Sequence, residues 1–150
     1  MKFSDETMAG FASSSLYRTL GIRMHAVADG SASSSLDPEA AVCWPTPGQP
    51  HGGVIFTIMD TTMAFAALSN GEAGTGSATV DCSIQYTAPA REAPFRCEAR
   101  TVSRTARTAF VRAELTDAQG TVVALAQGTF RLFAPRPAPA LTPKSAGPGS

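Results

Sequence analysis

The sequence of 150 residues has no net charge at neutral pH, with 12 Lys and Arg set against 12 Asp and Glu. That removes the overall electrostatic footprint of a nucleic-acid binder. Cysteine is scarce: Cys43, Cys82 and Cys97 lack metal-ligand spacing and leave one thiol over in any disulfide scheme, so reduced thiols in a cytoplasmic protein are expected. The opening MKFSDETMAG has no apolar h-region, and no export signal is expected. No apolar run is long enough for a membrane span, since the longest, Val54 to Leu68, is short and interrupted by Asp60. There is no internal repeat. What is present fits one globular domain over residues 1–134: hydrophobic residues make up 43% of the chain and mean hydropathy is +0.01. Residues 135–150 carry Pro135, Pro137, Pro139, Pro143 and Pro148 without an apolar period, and are expected to be an extended or disordered tail.

The stretch His51-Gly52-Gly53 followed by Val54 to Leu68 reads as a turn and then a long helix, with no breaker before Ser69-Asn70-Gly71. Apart from Asp60 it is apolar or hydroxylic all round, so it belongs at the centre of the domain, and a lone carboxylate there needs a reason. Upstream, the spacing of Met8, Phe11, Ala12, Leu16 and Leu20 predicts a helix over 6–19, weakened by Ser13-Ser14-Ser15. Ile22 to Ala28 and Ser31 to Leu36 read as two strands joined by Asp29-Gly30. Four prolines then make 37–50 a loop. Downstream, Ala78 to Tyr86 alternates apolar and polar, placing Thr79, Asp81, Ser83 and Gln85 together on the polar face. Strands over 95–104, 108–117 and 121–133 follow as an antiparallel meander. One central helix followed by such a sheet predicts an α+β fold with the sheet curled round the helix.

His51-Gly52-Gly53 with Asp60 behind it, then Thr79 to Tyr86, Pro89-Ala90-Arg91 and the closing segment Asp117 to Phe130, together resemble the hotdog-fold acyl-CoA thioesterases, in particular the phenylacetyl-CoA thioesterase-like branch. The resemblance covers about Phe11 to Phe133. It implies a hotdog fold, hydrolysis of an acyl-CoA, and an obligate homodimer with two active sites at its interface, often assembled further into a homotetramer as a dimer of dimers. It implies that Asp60 is the nucleophile or the general base that activates water, that the Gly52 N–H polarises the thioester carbonyl, and that Thr79 arrives from the partner subunit to place the attacking water. Relatives usually carry Asn or Gln six residues before the histidine; here that residue is Pro45, so Thr46 or Gln49 is left to substitute.

Elementary chemistry agrees with these roles. A thioester carbonyl needs donors where negative charge develops, and the free N–H groups of a helix N-terminus supply them. Seven residues at ~100° each return Asp60 to the face of Gly53, about 10 Å further along the axis, with its side chain leaning back towards the N-terminus. An aspartate is ionised at neutral pH and needs no metal or cofactor for this work. Each residue also has a plainer reading: Asp60 as a helix acid paired with Arg, His51 as a residue that holds the loop rather than a proton carrier, and His25 as an ordinary strand histidine. Gly53, Phe56 and Met63 are expected to line the acyl pocket. Arg91, Arg104 and Arg107 fall in a locally basic region, which is either a solvated strand face or a grip on the phosphates of coenzyme A. Besides hydrolysis, two alternatives remain at this level: a hydratase or dehydratase acting on an acyl thioester, with His51 as the paired proton carrier, and a non-catalytic acyl-CoA binding module.

Overall fold

The computed structural model describes residues 5–45 and 47–135. Thr46 and the proline-rich tail from 136 onwards lie outside that range. The chain begins with α1 (Asp5–Ser13) and α2 (Ser15–Leu20), two helices where the spacing predicts one. The break is local: the Ser13 hydroxyl turns back onto the Gly10 carbonyl at 2.8 Å, and Ser14 is extended, with ψ at 125°. Gly21 ends α2 with φ at 76°, and a Cβ there would lie 2.0 Å from the Asp37 carbonyl oxygen, so this turn requires glycine.

Strands β1 (Ile22–Ala28) and β2 (Ser31–Leu36) have the predicted bounds, joined by Asp29 and Gly30, both at positive φ. In the loop that follows, a single turn, α3 (Ala40–Cys43), forms between the prolines. Then come α4 (Gly52–Leu68), β3 (Gly76–Tyr86), β4 (Phe95–Arg104), β5 (Thr108–Thr116) and β6 (Val122–Phe133). The six strands make one antiparallel sheet in the order β1-β2-β4-β5-β6-β3. Helix α4 touches every strand, and Ile58, Met59, Met63, Ala66 and Ala67 on it are fully buried. This is the sheet-round-helix α+β arrangement expected from the sequence.

Two polar features mark the interior. Ser34 and Thr62 share a buried hydrogen bond of 2.6 Å, so the core keeps a satisfied polar pair between α4 and β2. Strand β3 lies at one edge of the sheet and is not regular. Its register on β6 slips between Thr79 and Asp81, leaving Val80 as a bulge that is 67% exposed. Thr79 pairs with the buried Phe130, whereas Asp81 pairs with Thr129 and Cys82 with the buried Gly128. The bulge therefore splits the predicted polar face: Thr79 turns towards α4, while Asp81, Ser83 and Gln85 face outwards.

Candidate functional site

The site is built on the first turn of α4. His51 is the N-cap, with φ −59° and ψ 137°. Its Nδ1 accepts the Gly53 N–H at 2.8 Å, its carbonyl accepts the Val54 and Ile55 amides, and its own N–H donates to Cys43. Because Nδ1 is an acceptor, the neutral ring carries its proton on Nε2. Among the described residues the Gly52 N–H has no acceptor, while Gly53, Val54 and Ile55 each have one. An amide left open at the positive end of a helix dipole is a donor for developing negative charge.

The Gly52 carbonyl, by contrast, is fixed: the Tyr86 hydroxyl donates to it at 2.8 Å, and a Cβ at Gly52 would meet the Tyr86 ring at 3.2 Å. Burial pushes the Tyr86 hydroxyl pKa upwards, which keeps it a donor. Tyr86 has no role in the sequence reading. Its one signal there is position, as a hydroxyl-bearing aromatic closing the apolar face of β3.

Two turns further along α4, Asp60 is half-buried. Its Oδ1 accepts the Thr79 hydroxyl at 2.9 Å. Asp60 makes no ion pair; among the described residues the ion pair is Arg96 with Glu98 at 2.7 Å. The resemblance implies that Thr79 comes from a partner subunit, whereas here it reaches Asp60 of its own chain. The reason is the bulge at Val80, which rotates Thr79 onto the face that lies along α4. Cys82 follows on the same face; burial first, then the Asp60 and Asp81 carboxylates, push its thiol up to about 11. At neutral pH it is a protonated neighbour of the site, not a thiolate nucleophile.

The other expected contacts divide. Gly53 and His51 line a groove of about 530 Å³ with Trp44, Pro45 and Thr57. Phe56 is half-buried and Gln49 exposed. Met63 is fully buried in the core. The Arg104 guanidinium donates to the Asn70 carbonyl beyond the C-terminal end of α4, the opposite end from Gly52. Arg91 and Arg107 are exposed. Arg91 precedes the start of β4 and Arg107 follows its end, a strand of 10 residues. His25 stands at a bulge of β1 with Nε2 2.7 Å from the Ser35 hydroxyl, away from α4's first turn.

Asp60 and Gly52 lie about 12 Å apart along the axis of α4, at ~1.5 Å per residue. The site thus has two parts on one helix, an open amide with its capping histidine and a hydroxyl-bound carboxylate, connected by the inner face of β3.

Comparison with known proteins identifies the fold and the family. Solved structures with the same fold include conserved protein PA5202 from Pseudomonas aeruginosa, 30% identical, with a TM-score of 0.76 over 87% of this chain and 100% of that one. Thioesterase HI1161 from Haemophilus influenzae is 17% identical, with a TM-score of 0.79 over 89% of this chain and 92% of that one. A phenylacetic acid degradation-related putative thioesterase from Ralstonia eutropha is 27% identical, with a TM-score of 0.72 over 84% of this chain and 96% of that one. No curated protein matches the sequence significantly. Residues 48–124, which run from the approach to His51 through β3, β4 and β5 into β6, match the family model of the thioesterase superfamily. The fold is the hotdog fold, and the chain belongs to the thioesterase superfamily.

Proposed function

We propose that this protein hydrolyses the thioester of an acyl-CoA with a small or medium acyl group, aromatic or aliphatic, to the free acid and coenzyme A. The observation that carries the reading is the state of Asp60: a half-buried carboxylate on the central helix that has a neutral hydroxyl as its partner and no ion pair. A structural acid in such a place is ordinarily held by a cation. In the proposed reaction the carbonyl oxygen takes a hydrogen bond from the Gly52 N–H as negative charge develops on it. Asp60 either removes a proton from the attacking water or attacks the carbonyl itself, forming an anhydride that water then opens. In both routes the C–S bond breaks, and coenzyme A leaves as a thiolate that takes up a proton. Thr79 holds the carboxylate oxygen that is not in use.

The distance between Gly52 and Asp60 supports a homodimer as the working unit. Antiparallel pairing of two β3 edges about a two-fold axis sets two α4 helices side by side in opposite directions, so that Gly52 of one chain approaches Asp60 of the other. The names of two neighbours refer to phenylacetic acid degradation, which favours including aryl-acetyl thioesters among the candidates. Cytoplasmic residence fits three free cysteines. Among the described residues, no helix is long and apolar enough to cross a membrane.

The hydratase reading is less well supported, since Nδ1 of His51 is engaged in capping α4 and Asp60 lies more than two turns away from that histidine. A panel of acyl-CoAs assayed for free thiol tests the proposal. Thiol release from at least one member is expected; loss of enoyl absorbance without thiol release would instead identify a hydratase, and binding without turnover a binding module.

A further inference from the structure

A hollow of about 400 Å³ opens between the two N-terminal helices and β1, within the range of ~300–1,000 Å³ typical of small-molecule sites. Its lining divides by chemistry. Phe11, Tyr17 and Met24 give it an apolar body. Phe11 is buried, stacked on the Tyr17 ring at 4.0 Å and edge-on to Phe65 of α4 at 5.2 Å, so the aromatic wall is held in place from two sides. Tyr17 and Met24 are only half-buried and keep apolar surface open to the hollow. Arg18, Arg23 and His25 also line it, all three exposed. Among the described residues no acid lines the hollow, and neither arginine makes an ion pair. Helix α2 is shared with the groove at His51: Tyr17 and Arg18 line the hollow, Leu20 the groove. The two otherwise have no lining element of α4 in common, and no residue lines both.

We propose that this hollow binds a monocarboxylic acid with an apolar body, aromatic or medium-chain aliphatic. The body packs against Phe11, Tyr17 and Met24, and the carboxylate meets Arg18 and Arg23, whose planar guanidinium groups suit its two oxygens. Neither half suffices alone. An ion pair at an exposed rim is worth little in water, so a bare anion is held weakly; a neutral apolar molecule leaves both cations unused. A nucleotide is a poorer match, because the donors and acceptors on the edge of its base would be set against methionine and phenylalanine side chains that cannot pair them. The proposal does not depend on thioester hydrolysis, but an acid of this class is what the proposed reaction releases. The enzyme would then hold its own product at a second place, on the other side of α2 from the groove.

The test is calorimetric titration of the full chain at neutral pH with phenylacetate and octanoate, for the parent, Arg18→Gln/Arg23→Gln and Ala12→Trp. Ala12 lines the hollow and is exposed, so a large side chain there fills the space without entering the core. Saturable binding of at least one of the two acids with Kd below about 1 mM is expected for the parent. The double arginine variant should weaken it at least about fivefold and Ala12→Trp at least about tenfold, with both variants unfolding at the parental temperature. Phenylacetamide, which keeps the body and loses the charge, and acetate, which does the reverse, should each bind at least about fivefold more weakly than the better acid. No saturable binding of either acid, parental affinity in the arginine variant, or equal binding of the amide would each overturn the proposal. Binding of coenzyme A but of neither acid, lost in the arginine variant, would make this a phosphate site and overturn it too. Initial thiol release by Arg18→Gln/Arg23→Gln without added acid should equal the parental rate. A parent that releases no thiol from any acyl-CoA would strike the proposed hydrolysis and leave the titration standing, so the two failures are distinguishable.

Discussion

Thr79 supplies the hydrogen bond that Asp60 receives from within the chain. Its loss should be felt in turnover: a hydrogen bond to a charged group is worth about 1.5–3 kcal/mol, so Thr79→Ala is expected to slow thiol release about 10- to 100-fold while Thr79→Ser retains most of it. Equal rates for Thr79→Ala and the parent would remove Thr79 from the site. This residue also shows where sequence reading fails. Strict alternation from Ala78 to Tyr86 puts Thr79 on the outer face, and the single extra residue at Val80 reverses that; no propensity marks Val80 as a bulge. Asp60 and Gly52 were legible, because an acid in an apolar helix and a glycine pair before it are anomalies of composition. Two thiols, the half-buried Cys82 and the buried Cys97, give a pH signature. Cys82 rises from an ordinary value of 9.0 to about 11 and Cys97 to about 12. The folded state therefore holds these protons more tightly than the unfolded chain does. Stability from this source is complete below pH 9 and lost as pH rises from 9 towards 12. Unfolding temperatures recorded from pH 7 upwards should show the decline beginning near 9, and a Cys97→Ala variant should show a smaller alkaline decline.

At the scale of elements, α4 is held at its first turn by His51 from below and Tyr86 from the side. If His51 acts as a cap, His51→Ala should cost about 1 kcal/mol, or roughly 2–4 °C in unfolding temperature for a chain of this size, with thiol release largely preserved. A total loss of turnover with unchanged stability would instead make His51 the proton carrier. The bounds of β1 and β2 were readable from the Asp29-Gly30 turn and those of β4 from its alternation. The short α3 was hidden by the prolines around it, and the break at Ser14 by an apolar spacing that continues through it. The long loop before α4 also explains why Gln49 carries no visible role. Its far end is tied back where the His51 N–H donates to the Cys43 carbonyl at 2.7 Å.

For the whole molecule, Gly52 and Asp60 lie about 12 Å apart along α4 of one chain, and among the described residues β3 is an edge strand of 11 residues. Val80 on that edge is 67% exposed, so Val80→Lys should leave the fold intact. It is expected to shift assemblies joined through β3 towards smaller ones and to lower thiol release with them; an unchanged mass with unchanged turnover would remove the edge pairing. Distances between chains were beyond the sequence because they depend on a partner surface, whereas the family membership rests on a motif order contained in one chain. The most direct test of the central claim, that Asp60 is a reacting group and not a structural acid, is thiol release by Asp60→Ala on the best acyl-CoA found for the parent, measured alongside thermal unfolding. Turnover should fall to background while the unfolding temperature stays within roughly 4 °C of the parent. Hydrolysis at the parental rate, or loss of turnover only because the variant is unfolded, would contradict it.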